Sequence, residues 1–197
     1  MGNYEQRRVK EHLGHLVDLM EIDPRRDVIE ALIPLWDPTN SAVSWEKGLV
    51  FGGADLRNKR PIIPKNVDAK KFLDLLKINQ TEKESLKNGC VSLDFLYERY
   101  GQNEGFKKYH NQLSNQGGVE AWKVNGCLAF MATFFRLIIF PKREKHIDIH
   151  LAGVVKALTI MESPTIIPMI LTYMFHALAK CKNGKTYFEG CNILLQT

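Results

Sequence analysis

The chain has 197 residues, 45% hydrophobic and 25% charged, with a formal charge of +5. This is ordinary globular usage on a length suited to about one domain, so a disordered, collagen-like or acidic-tail protein is excluded. The mild basic excess permits an anionic partner without requiring one, because a surplus of Lys usually means a solvated surface.

Cys90, Cys127, Cys181 and Cys191 are widely spaced and match neither a disulfide framework nor a paired metal signature, so reduced, half-buried thiols are expected. The first residues are polar and charged rather than a basic stub before an apolar run, which predicts an intracellular protein without a secretory signal. Gly2 is followed by Gln6 where a myristoylation motif has Ser or Thr, so no anchor is expected.

In chain order, Val9, Leu13, Leu16, Val17 and Met20 recur at helical spacing and predict one amphipathic helix over residues 3–20. Asp23-Pro24 reads as the start of another helix, with Val28, Ile29, Leu32, Ile33 and Trp36 as its buried stripe and Pro34 as a kink. Asp37-Pro38-Thr39-Asn40 is a turn by composition, and short strands are expected over 43–45 and 49–51. Helical patterning resumes at Asp68 with Phe72, Leu73, Leu75 and Leu76, and again at Thr81 with a capping-box spacing to Glu84. Ser92 caps the next expected helix, which carries Leu93, Leu96, Tyr97 and Tyr100 and stops at Gly101 in a left-handed conformation. Residues 102–118 read as a long polar surface loop.

Residues 119–140 are apolar on nearly all sides, with Trp122, Leu128, Phe130, Met131, Phe134, Phe135 and Leu137, which predicts a central helix. If Trp122 and Phe130 are central, truncating either to Ala costs about 3–5 kcal/mol. Further buried helices are expected over 149–160 and 166–180, with Lys180, Lys182 and Lys185 favoured at a helix C-terminus and Asn183-Gly184 forming the turn. The apolar run 187–195 reads as a helix cut short. Residues 127–141, broken by Arg136, and 166–179, with Pro168 and His176, fall short of the roughly 20 apolar residues of a bilayer span, so no membrane partner is expected.

Chemistry was sought along the same path. His146, Asp148 and His150 have metal-like alternate spacing, but a loop followed by an Asp148 helix cap is the simpler reading. His176, Cys181 and Cys191 fit no zinc module. Gly52-Gly53-Ala54-Asp55 lacks the Gly-Lys-Ser/Thr ending of a phosphate loop, there is no nucleophile elbow, and no Lys sits in a pyridoxal-phosphate context. No catalytic residue, metal or cofactor is therefore expected. The basic segment Arg57, Lys59, Arg60, Lys65, Lys70 and Lys71 could track phosphates, with Arg57, Lys59, Arg60 and Lys65 the candidate nucleic-acid contacts. Interleaved aromatics, which would stack on bases, are absent from it.

Five blocks in order carry a family resemblance: residues 35–40 (LWDPTN), 71–76 (KFLDLL), 95–101 (FLYERYG), 128–131 (LAFM) and 188–196 (FEGCNILLQ). Together they resemble the aminotransferase-like plant mobile domain of transposon-related and MAIN-like proteins. The resemblance implies a mostly helical fold with no established catalytic residues, a nuclear location, and a phosphatase-like protein partner. Against that family the chain is short over 43–56 and stops inside the last helix.

The expectation is therefore a single, mainly α, compact multi-helix domain over residues 1–197, incomplete at its C-terminus, with at most a few short strands near residues 43–63. Its expected role is non-catalytic protein interaction, and the alternative is nucleic-acid binding through the basic loop.

Overall fold

The computed structural model describes residues 3–23, 30–31, 33–37, 42–43, 59–63, 71, 74, 76, 86–87, 90–101, 105–107, 118–142, 144–191 and 193. Helix dominates them, as the periodicity requires. In chain order the helices are α1 (Asn3–Leu13), α2 (Leu93–Leu96), α3 (Gly118–Phe134), α4 (Ile149–Ile160) and α5 (Ile167–Lys182), with 3-10 turns at Gly14–Glu21 and Ile33–Leu35 and π-helical turns at Tyr97–Gly101 and Phe135–Ile139. Strands of two or three residues are β1 (Trp36–Asp37), β2 (Ala42–Val43), β3 (Arg60–Pro61), β4 (Leu86–Lys87), β5 (Cys90–Ser92), β6 (His146–Ile147) and β7 (Pro164–Thr165). Short strands thus occur outside residues 43–63 as well as near them.

The contacts group into two compact units: Met1–Val17, Pro64–Arg136 and Glu144–Ile160 form the first, and Asp18–Ile63, Leu137–Arg143 and Met161–Thr197 the second.

In the first unit, α3 packs against α1, α4 and the Tyr97–Gly101 turn. Cys127, Ala129, Met131, Ala132, Phe134 and Phe135 are buried, so apolar residues at nearly every angle around the axis find cover. From α1 come Val9 and Leu13, and from α4 Leu151, Ala152, Val154, Val155 and Leu158, each set a stripe at helical spacing. Antiparallel pairing of Val91 with both Leu86 and Ile147 makes a small sheet in the order β4-β5-β6. Arg136 is also buried, and its Nε donates to the His146 carbonyl at 2.6 Å, tying the end of the apolar helix to that sheet.

In the second unit, α5 buries Ile170, Met174, Ala177, Leu178 and Cys181 and packs against the Ile33–Leu35 turn, β1 and β3. Phe140 meets Tyr173 edge-on at 5.1 Å. Parallel β3 and β7 are joined by Arg60 N–H to the Ser163 carbonyl (3.0 Å) and Ile62 N–H to the Thr165 carbonyl (2.9 Å). Alternation then turns Pro61 away from β7, where its missing N–H breaks no ladder bond.

Several sequence expectations are corrected. The helix expected over 3–20 changes type at Gly14, whose φ of +55° is a left-handed stop, so Leu19 is buried while Met20 is exposed. Trp36 lies in a strand paired with Val43 rather than at the end of a helix, consistent with Pro34 halting the helical run. Leu86 and Lys87 are a strand, not the continuation of a helix from Thr81. Gly101 is not left-handed; its lack of a side chain matters because a Cβ there would lie 2.6 Å from the Tyr97 ring. The expected loop 102–118 contains helical residues at 105–107, and Gly105 is buried against the Glu98 and Arg99 carbonyls. Leu137 is 53% exposed, and Trp122, Leu128 and Phe130 are only half-buried. Residues 187–191 are irregular rather than helical, and a side chain at Gly190 would collide with the Phe188 ring. Helical backbone over Gly118–Ile139 is long and apolar enough to cross a membrane by length and composition, with half of its apolar window buried in the protein. Phe72, Leu73, Leu75, Thr81, Glu84 and the possible strand at 49–51 lie outside the described residues.

These burials rank the core. Phe135→Ala is expected to cost about 3–5 kcal/mol, whereas Leu137→Ser should stay within about 0.5 kcal/mol, as read from urea-unfolding midpoints. Leu137→Ser costing more than Phe135→Ala would show that the helix is turned the other way.

Candidate functional site

Of the four candidate nucleic-acid contacts, Lys59 and Arg60 are exposed at β3, and Arg57 and Lys65 lie outside the described residues. Lys59 immediately precedes β3, and Arg60 is its first residue. Lys71, from the same basic segment, is exposed in the first unit, while Lys59 and Arg60 belong to the second. Ile63, just beyond β3, is 76% exposed beside the buried Ile62.

The three residues with metal-like spacing have separate tasks. His146 is a strand residue whose carbonyl receives Arg136. Asp148 is the helix cap: its Oδ1 accepts from the N–H groups of His150 at 2.9 Å and Leu151 at 3.3 Å. His150 is exposed on the first turn of α4. Among the described residues no group of three or more His, Cys, Asp or Glu is placed to hold a metal ion. None of the four cysteines is in a disulfide; Cys127, Cys181 and Cys191 are buried and Cys90 half-buried.

At the C-terminal end of α5, Gly184 (φ +93°) donates to the Cys181 carbonyl and Lys185 to the Lys180 carbonyl, both at 3.0 Å, which is the Schellman closure expected of Asn183-Gly184. The chain then returns so that Glu189 Oε2 lies 3.4 Å from Lys180 Nζ and 3.2 Å from Lys185 Nζ. Burial works to raise the Glu189 carboxyl, but hydrogen bonds and charge from Lys185 and Lys180 outweigh it and hold the carboxyl below its usual value. Burial pushes the Cys181 thiol up; Lys185 opposes the rise and Glu189 adds to it. A thiol held protonated is a poor nucleophile and a poor metal ligand, which suits a packing role.

Sequence reasoning missed the polar groups buried in the first unit. Arg99 is 1% exposed, its guanidinium lying 5.8 Å from the Phe95 ring centroid and 5.7 Å from that of Tyr100. Tyr100 donates its hydroxyl to the Leu76 carbonyl at 2.7 Å and packs its ring 6.2 Å from Trp122. On α3, Trp122 Nε1 and Asn125 Nδ2 are buried donors without an acceptor among the described residues. Asn125, one of several polar residues on α3, gave the only signal there, and it could not be told from an ordinary surface position.

No family model, curated protein or solved structure matches the chain.

The Glu189 contact has a definite pH signature. Because its folded-state value is depressed, the stability it contributes is present above the unfolded-state value and is lost as pH falls through the folded one. Glu189→Gln should cost about 0.5–1 kcal/mol at neutral pH and nothing in strong acid, as followed by thermal melts across pH. An equal cost at both ends would mean that packing, not charge, holds the segment.

Proposed function

We propose that the chain is a non-catalytic protein-interaction module, nuclear and transposon-derived, of the plant-mobile-domain kind that its sequence blocks resemble. The observation that carries the reading is the ledge formed by residues 59–63. There β3 is paired on one side only among the described residues, and Ile63 stands exposed beside it. A one-sided strand offers main-chain groups to a partner, and an adjoining apolar side chain gives an anchor. Reactive side chains support the same reading through their structural employment: Asp148 caps a helix, Glu189 is held by two lysines and Cys181 is kept as a thiol. A phosphatase-like protein is the partner suggested by the resemblance.

The second reading, nucleic-acid binding through Arg57, Lys59, Arg60 and Lys65, draws support from the exposure of Lys59 and Arg60 on the same ledge. The two readings part on salt, since displaced counterions make phosphate binding fall steeply as salt rises.

A pull-down of the tagged chain from plant nuclear extract, with and without nuclease, separates them. The expected result is a set of proteins that survives nuclease and is lost with Ile63→Asp. Loss with nuclease, or with Lys59→Glu and Arg60→Glu while Ile63→Asp has no effect, would replace the first reading with the second.

A further inference from the structure

Trp122 and Asn125 stand three residues apart on α3, so they lie on one face of it. Trp122 contacts the ring of Tyr100, and so does the position of Gly126, whose absent Cβ would sit 3.8 Å from Tyr100 Cδ1. This face therefore looks onto the π-helical turn that carries Arg99 and Tyr100. A π-helical turn is itself a frequent mark of functional sites.

Asn125 is 4% exposed, and its Nδ2 and the Trp122 Nε1 have no acceptor among the described residues. An indole N–H can only donate, and an amide NH2 carries two donors, so the deficit is one of acceptor oxygens. Buried donors are almost always satisfied in native proteins, and an orphan carries the full desolvation penalty. The Arg99 guanidinium adds fixed positive charge to the same layer. Gly126 leaves room, since the space its Cβ would take is only in ordinary contact with Tyr100. Trp122, Tyr100 and Phe106 are each half-buried.

We propose that this layer of the first unit is a binding site for a small oxyanion, a phosphate or carboxylate group, received by Trp122 Nε1 and Asn125 Nδ2 beside Arg99. The site is distinct from the ledge at residues 59–63 and does not depend on what that ledge binds.

The test is a titration of the full chain with inorganic phosphate, and separately with acetate, followed by the NMR signals of the Trp122 indole N–H and the Asn125 side-chain amide. Both signals should move saturably with at least one anion; phosphate alone would identify a phosphate group, and acetate a carboxylate. Affinity should fall by about tenfold or more in Asn125→Leu, the cost of one good hydrogen bond to a charged group. It should fall in Gly126→Ala as well, although that variant should melt higher than the parent because Ala is the better helix former. Signals that ignore both anions, as a site filled by water alone would give, overturn the proposal, as do shifts unchanged in both variants.

Discussion

A helix that is apolar over most of its circumference has little face to give to solvent, and that constraint organises the first unit. Residues of α3 reach cover on several sides, from α1, from α4 and from the turn that carries Arg99. Helix–helix burial here owes little to intrinsic propensity, because Val, Phe, Trp and Thr are indifferent helix formers and tertiary cover decides the outcome. Where the apolar run ends, Arg136 is drawn inside and must spend its Nε on the His146 carbonyl. That bond places β6, β6 pairs with β5, and Ser92 at the end of β5 caps α2 by accepting from Phe95 N–H at 3.4 Å. One buried cation thus links the core helix to the segment that presents Arg99 and Tyr100.

Legibility in the sequence followed the range of the interaction concerned. Local rules worked: the Ser92 and Asp148 caps, the Asn183-Gly184 closure and the bounds of α4 all depend on bonds within a few residues. The amphipathic stripe of α5 was equally readable. Gly14 could have been read as a stop, but the apolar stripe running past it outweighed a single residue. The Asn88-Gly89 pair between Leu86-Lys87 and Cys90-Ser92 was a hairpin signal that the helical pattern around it concealed.

Interactions set by distant partners were not legible. Periodicity could say that residues 119–140 are buried, but not that Leu137 would face out while Arg136 faces in. Gly105 read as a loop residue because nothing local reveals that the Glu98 and Arg99 carbonyls press against it. The basic composition of residues 57–65 was visible at once. The standing of Ile63 beside a strand paired on one side only among the described residues needed the pairing of β3 with β7. The buried donors at Trp122 and Asn125 were hidden for the same reason, since only packing shows that an acceptor is lacking.

Chemistry and architecture are thereby connected in a specific way. Asp148, Glu189 and Cys181 are employed in capping, pairing and packing. The first unit rests on the closed core that the burial of Met131, Phe134 and Phe135 forms. Native-state hydrogen exchange tests that closure most directly. The amides of residues 127–135 are expected to be the slowest in the chain, opening only with global unfolding. Exchange there as fast as in α1 or at residues 187–191 would contradict the account, because the helix on which the unit is built would not then be its most stable part.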